Sequence, residues 1–191
     1  HGRSGGNLIG FGAWDYKDIN LWIDYLTDRF GENIEIMLHG ISMGAATSML
    51  VNNNNPAPQV KLVIEDCGYT NAFKQVGIKT RLYVPILKTD FIVNFINLHC
   101  RLIAGYNLKK DADPIGTMKN AKNPVLFIHG EQDPLVPFSM CLELYEACPV
   151  EKDIFTVPEA VHAYCYYDAK DEYDEKMRSF IAKHFNTATS K

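Results

Sequence analysis

The sequence has no CxxC pair, and its five cysteines (Cys67, Cys100, Cys141, Cys148 and Cys165) are odd in number and scattered. A disulfide framework and a zinc site are therefore excluded as organising devices. Small apolar thiols in the core of a protein kept in a reducing compartment, the cytoplasm, account for them. No apolar run reaches the roughly 18 residues of a membrane-spanning helix. No block of like charge stands out, and the net charge is −4, so nothing points to nucleic acid or to a membrane surface. Internal repeats and low-complexity tracts are missing too, Asn52–Asn55 being the nearest thing to one. The first residues show no secretory leader, but they do not read as a native start, so a signal or anchor ahead of His1 stays open.

What is present is core-forming material. Hydrophobic residues make up 47% and charged residues 22% of 191 positions, which suits one packed domain. Ile19, Trp22, Ile23, Leu26 and Phe30 share a face at helical spacing, which predicts a helix over Asp15–Phe30, with Asp15 as N-cap and Gly31 as stop. Short apolar strands are predicted at Ile34–Leu38, Val60–Ile64, Val125–Ile128 and Ile154–Val157. Helices are predicted at Met43–Val51 and Pro137–Ala147. A closing helix carries Tyr173, Met177, Phe180, Ile181 and His184 on one face. Strands alternating with helices imply a parallel sheet covered on both sides. One stretch breaks the alternation: between Asp66 and Pro114 there is helical apolar sequence and no strand. It reads as an inserted helical cap, residues 71–113. A plain pair of core helices is the competing reading.

The chemistry-bearing stretch is "HGISMG", His39–Gly44. A strand, G-x-S-x-G and then a helix form a nucleophile elbow, a sharp turn that pushes a serine Oγ out of the sheet's carboxyl edge. Gly40 and Gly44 are expected where side chains would collide with strand and helix. The helix that follows aims its first N–H groups at the site, where they favour developing negative charge. A serine nucleophile needs a base, and the base an orienting acid, in the chain order Ser, acid, His. The third strand runs into "FIHGEQDPLVP" and delivers Asp133; the fourth runs into "VPEAVHAY" and delivers His162. Asp66, also at a strand end, and Glu131 are the alternative acids. His39 and His129 each precede a glycine and read as loop supports, while His99 and His184 read as helix residues.

With these motifs the chain resembles the α/β-hydrolase family over nearly its whole length. "HGRSGG", "IGFG", "LHGISMGAAT" and "IEDCGYT" look like a bacterial subgroup of serine hydrolases with a helical cap. The resemblance implies an α/β fold with a mostly parallel sheet flanked by helices. It implies that Ser42 attacks an acyl carbonyl, His162 shuttles the proton, Asp133 orients His162, and the Met43 N–H is one oxyanion donor. The family's sheet usually has eight strands, and the four found here match the last four. "HGRSGG" looks like the tail of a loop motif after the family's fourth strand. The chain is therefore expected to be an N-terminally incomplete single domain over 1–191, with a complete minimal hydrolase as the rival reading. It would lack the loop that gives the second oxyanion donor, a loss of about 10²–10³ in rate. The edge of the first strand would lie open to self-association.

The expected activity is hydrolysis of a small-molecule carboxylic ester through an acyl-enzyme, with no cofactor and no metal. Tyr83, Phe91, Ile92 and Phe95 of the cap, with Ile96, are expected to line an apolar substrate pocket. A peptidase or amidase with the same triad is the alternative within enzymes, ranked lower because no fixed anionic pair is evident to grip a free amino terminus. A haloalkane dehalogenase is excluded, since it needs Asp where Ser42 stands. From another class, a non-catalytic binding module could keep the fold.

Overall fold

Four short strands alternate with helices, and their order in the sheet is their order in the chain. The computed structural model describes residues 5–85 and 88–185. Positions 1–4 of the opening "HGRSGG" and the last residues lie outside that description. Helix α1 (Asp15–Phe30) leads to β1 (Ile36–Ile41), α2 (Met43–Asn53) and β2 (Val60–Asp66). Then come α3 (Ala72–Tyr83), α4 (Thr89–His99) with a π-helical turn (Cys100–Ala104), and α5 (Pro114–Thr117) with a 3₁₀ turn. The chain ends with β3 (Val125–Gly130), α6 (Phe138–Ala147), β4 (Lys152–Val157), α7 (Cys165–Asp168) and α8 (Lys170–His184). The sheet runs β1-β2-β3-β4 and every pairing is parallel.

β2 and β3 are central and almost wholly buried, as continuous apolar strands covered on both faces must be. On one face Val63, Val125 and Phe127 pack with Ile23 of α1, Met49 of α2 and Leu144 of α6. On the other, Leu62, Ile64, Leu126 and Ile128 pack with Cys165 of α7 and with Tyr173 and Phe180 of α8. A third cluster joins α3 and the chain around Tyr106 to Ala46 of α2 and Met140 of α6. It seats the α3–α4 segment beside the carboxyl ends of the strands.

The local chemistry corrects two expectations. Asp15 is not the N-cap of α1: Trp14 holds that position without a side-chain capping bond, and Asp15 Oδ2 instead accepts the N–H of Gly12 at 2.7 Å, bracing the preceding turn. The predicted apolar face of α1 is only partly used. Ile23 is buried, whereas Trp22 and Phe30 are more than 60% exposed. Gly31 does end the helix, at φ 94°, a conformation open to glycine. Asn71 caps α3 by accepting the N–H groups of Phe73 and Lys74.

Candidate active site

The strand ends deliver three side chains to one point. β1 runs out at Ile41 and α2 begins at Met43, so the turn is made by Ser42 alone. Its backbone sits at φ 55°, ψ −113°, a strained conformation for a residue with a side chain and one that surrounding contacts must hold. One such contact is the Ser42 N–H bond to Asp66 O at 2.7 Å. Gly40 is required here, because a Cβ on it would lie 2.1 Å from Gly44 O. Gly44 is not: a Cβ there meets no described atom within 4 Å, so the expected collision at that position is absent. Gly130 has a role of its own. A Cβ on it would lie 2.3 Å from Ala160 O, so its missing side chain lets the loops after β3 and β4 close on each other.

That approach brings Asp133 to His162. His162 Nδ1 lies 2.6 Å from Asp133 Oδ2, and His162 Nε2 lies 2.9 Å from Ser42 Oγ. With Nδ1 protonated, the imidazole donates to the carboxylate and accepts from the serine hydroxyl. The carboxyl of Asp133 is fixed from its other side: Oδ1 accepts the N–H groups of Leu135 and Val136 at 2.7 and 2.9 Å. Burial by itself would raise its pKa, but the contacts with His129 and His162 and these two N–H groups outweigh that and hold it well below the carboxylate range. The structure therefore brings together the three residues expected from sequence, Ser42, Asp133 and His162. The alternative acids go elsewhere. Asp66 takes the Tyr173 hydroxyl at 3.0 Å, and Glu131 takes that of Thr156 at 2.8 Å.

A second tier of polar groups lies beneath, unforeseen from the sequence. His129, wholly buried, donates from Nε2 to Val136 O at 2.9 Å and lies 3.4 Å from Asp133 Oδ2. It supports the Asp133 loop, as its place before Gly130 suggested, but it also touches the acid itself. Glu65, on the adjacent strand and also wholly buried, accepts the Gly68 N–H at 2.9 Å. Burial pushes its pKa up to about 7, against the opposing effect of His129. Cys67 has a positive φ of 51°, and its Sγ lies 4.0 Å from His162 Nε2. Burial raises the pKa of that thiol and keeps it protonated. The ligand atoms of Cys67, Asp133 and His162 lie within 4.8 Å of one another. Among the described residues they are the groups that could hold a metal ion, but only by competing with the bonds just described.

Beside Ser42 opens a cavity of about 590 Å³, within the size range of small-molecule pockets. Its walls are mostly apolar, with Phe11, Tyr69, Val76, Tyr83, Ile92 and Ile96 among them. Of the four residues expected at a substrate pocket, Tyr83 and Ile92 border this cavity, and Phe91 and Phe95 do not. Phe91 borders a larger cavity of about 760 Å³ beyond α3, one that contains none of Ser42, Asp133 and His162. Phe95 borders neither cavity and is 63% exposed. Helical periodicity put all four on α4 and the end of α3 but could not say which arc faces the serine. Phe11 and Tyr69, missed as wall residues, sit in the "IGFG" and "IEDCGYT" stretches.

The prolyl oligopeptidase family matches residues 10–188 of the chain. The chain is 25% identical over 181 residues to the uncharacterized protein YqkD of Bacillus subtilis, covering 95% of itself and 59% of that relative. It therefore spans well under two thirds of the relative's length. Its fold is that of the Pyrococcus furiosus esterase Pf2001, with a TM-score of 0.73 at 19% identity, over 96% of this chain and 67% of that one. The acylaminoacyl peptidase of Pyrococcus horikoshii is also similar, with a TM-score of 0.70 at 14% identity, over 93% and 28% of the two chains.

Proposed function

This chain belongs to the prolyl oligopeptidase family of α/β-hydrolases, and from that premise we propose that it is a serine hydrolase that cleaves carboxylic esters through an acyl-enzyme. The observation that carries the reading is the continuous relay from Asp133 through His162 to Ser42, opening on an apolar cavity. In this mechanism Ser42 Oγ attacks the acyl carbonyl while His162 Nε2 takes its proton. Asp133 fixes the ring and offsets the charge on the imidazolium. The developing oxyanion sits at the start of α2 and accepts the Met43 N–H, with the helix N-terminus favouring its charge. His162 then gives the proton to the departing alcohol, and water attacks the ester on Ser42 with the same base. Residues 71–113 act as a cap on a single domain, and Tyr83 and Ile92 hold the apolar part of the substrate.

Cleavage of peptides or amides is the second reading, and the family match together with the acylaminoacyl peptidase likeness favours it. The cavity walls speak for esters: among the described residues Lys79 is their one charged side chain, and no carboxylate is there to hold a free amino terminus. Two measurements test the proposal. A fluorophosphonate probe labels the protein, and Ser42→Ala abolishes labelling; label that survives the substitution would reject Ser42 as nucleophile. Turnover of p-nitrophenyl butyrate should exceed that of an acyl-peptide p-nitroanilide, and the opposite order would establish the peptidase reading.

A further inference from the structure

The outer face of α4 is an apolar stripe with nothing packed on it among the described residues. Phe91, Phe95, Leu98 and Leu102 are spaced by four, three and four, and are 74%, 63%, 47% and 74% exposed. Such spacing places them on one side of a helix, and the π-helical turn after α4 carries the stripe to Leu102. Single exposed apolar residues are ordinary, but a contiguous row marks an interaction surface. The inner face of the same helix carries Ile92 and Ile96 into the cavity beside Ser42. Helix α4 thus has one apolar side on the site and another on the outside.

Charge identifies what the stripe meets. Residues 71–113 hold seven Lys and Arg against three Asp, a balance of +4, in a chain whose total is −4, which leaves −8 for the rest. The net charge of the whole sequence averages this separation away. Lys88 and Arg101 are exposed at the two ends of the stripe. None of the described ion pairs involves either of them. An apolar helical face bracketed by cations, on a body of opposite charge, is the pattern of a helix that lies in the interface of an anionic membrane. A cavity of about 760 Å³ lies at the Lys88–Phe91 end of the stripe, whereas Phe95, Leu98 and Leu102 line neither that cavity nor the one beside Ser42. Lying flat on lipid, the helix would also set the cavity beside Ser42 close to the acyl chains.

We propose that the α3–α4 segment docks on an anionic phospholipid bilayer through Phe91, Phe95, Leu98 and Leu102, with Lys88 and Arg101 on the headgroups. This is surface binding, since no described helix is long and apolar enough to cross a membrane. A consequence for turnover rests on the ester reading above; the docking does not. The test is co-sedimentation of the full chain with phosphatidylcholine vesicles with and without about 30% phosphatidylglycerol. Binding to the anionic vesicles should be at least about tenfold stronger and should fall steeply at high salt. Leu102→Asp and, separately, the surface charge reversal Arg101→Glu should each weaken it at least about fivefold and leave p-nitrophenyl acetate hydrolysis unchanged. Equal binding to neutral vesicles, no binding, or binding unaffected by both substitutions would overturn the proposal. So would a dimer that Leu102→Asp dissociates in a chain that ignores vesicles, since a second copy would then be the occupant. Vesicle binding without ester hydrolysis would sink the esterase reading and uphold the docking.

Discussion

Asp133, in the loop after β3, and Glu65, on β2, are carboxyls whose environments push them in opposite directions. Asp133 is held low by its hydrogen bonds. Its unfolded counterpart titrates near 4, so the stabilisation it supplies is complete above that pH and is lost as the pH falls. Asp133→Asn removes this contribution and, in the proposed mechanism, the acid that orients His162. We expect kcat for an activated ester to fall by about 10⁴ with the fold retained, while Asp66→Asn leaves kcat within a small factor. Urea denaturation should show the loss of stability above about pH 5 shrinking toward acid. If Asp66→Asn abolishes turnover and Asp133→Asn does not, the wrong strand end has been assigned. Glu65 runs the other way. Its pKa rises from 4.5 to about 7 on folding, so the folded state keeps a proton that the unfolded chain releases. Stability therefore declines as pH rises through this window, by on the order of 3 kcal/mol once both states are ionised. Glu65→Gln abolishes that titration. The variant should become more stable relative to the wild type between pH 5 and 7.5, and parallel pH curves for the two proteins would show that Glu65 does not titrate there. Asp133 was expected from sequence as the partner of His162, whereas Glu65 was not singled out. A carboxylate at a strand end reads the same whether it faces a histidine or a core, and the difference is made by residues distant in the chain.

At the scale of elements, the alternation of short apolar runs with helical periods was enough for the parallel sheet and its flanking helices. The interior of each element was readable, and the ends were not. β1 and β3 each extend beyond the predicted strand through a histidine and a glycine, His39–Gly40 and His129–Gly130. Polar and small residues read as loop, yet here they continue the ladder because the site is built on the strands' last residues. The same limit explains Asp15, whose side chain serves the turn before α1 rather than the helix. The elbow was legible as a pattern, but its two glycines are unequal. Gly40→Ala drives a methyl into Gly44 O and C at 2.1 and 2.2 Å, both backbone atoms that cannot move aside cheaply. We expect a loss of at least about 3 kcal/mol or failure to fold. Gly44→Ala adds a methyl where a Cβ has no described neighbour within 4 Å, inside a helix. It should be neutral or stabilising by up to about 1 kcal/mol. Thermal melting of the two variants decides this, and equal destabilisation by both would show that Gly44 is also pressed by a neighbour.

For the molecule as a whole, the juxtaposition of Ser42, Asp133 and His162 could be expected from sequence because each follows a strand, and parallel strands bring their ends to one edge. The sequence could not locate the cavity wall, because the wall depends on how α3 and α4 lie over that edge, which no local pattern specifies. It also assigned a charge balance to the chain where the fold separates two regions of opposite sign. The sheet's outer edge is the remaining question at this scale. β1 pairs with β2 on one side and with no other described strand. Its Ile41 is 50% exposed, and the nearby face of α1 leaves Trp22 and Phe30 exposed as well. An apolar edge strand with free donors and acceptors is a template for pairing. We propose that the 191-residue chain by itself self-associates through β1. Light scattering across a concentration series should show a mass that rises above the monomer, and Ile41→Lys, which sets a charge on the edge, should lower it. Leu102→Asp, in the π-helical turn after α4, should leave that association unchanged, which separates the sheet edge from the α4 stripe. A monodisperse monomer at every concentration would mean that the edge is already protected, by local twist or by solvation, and that β1 is stable without a partner.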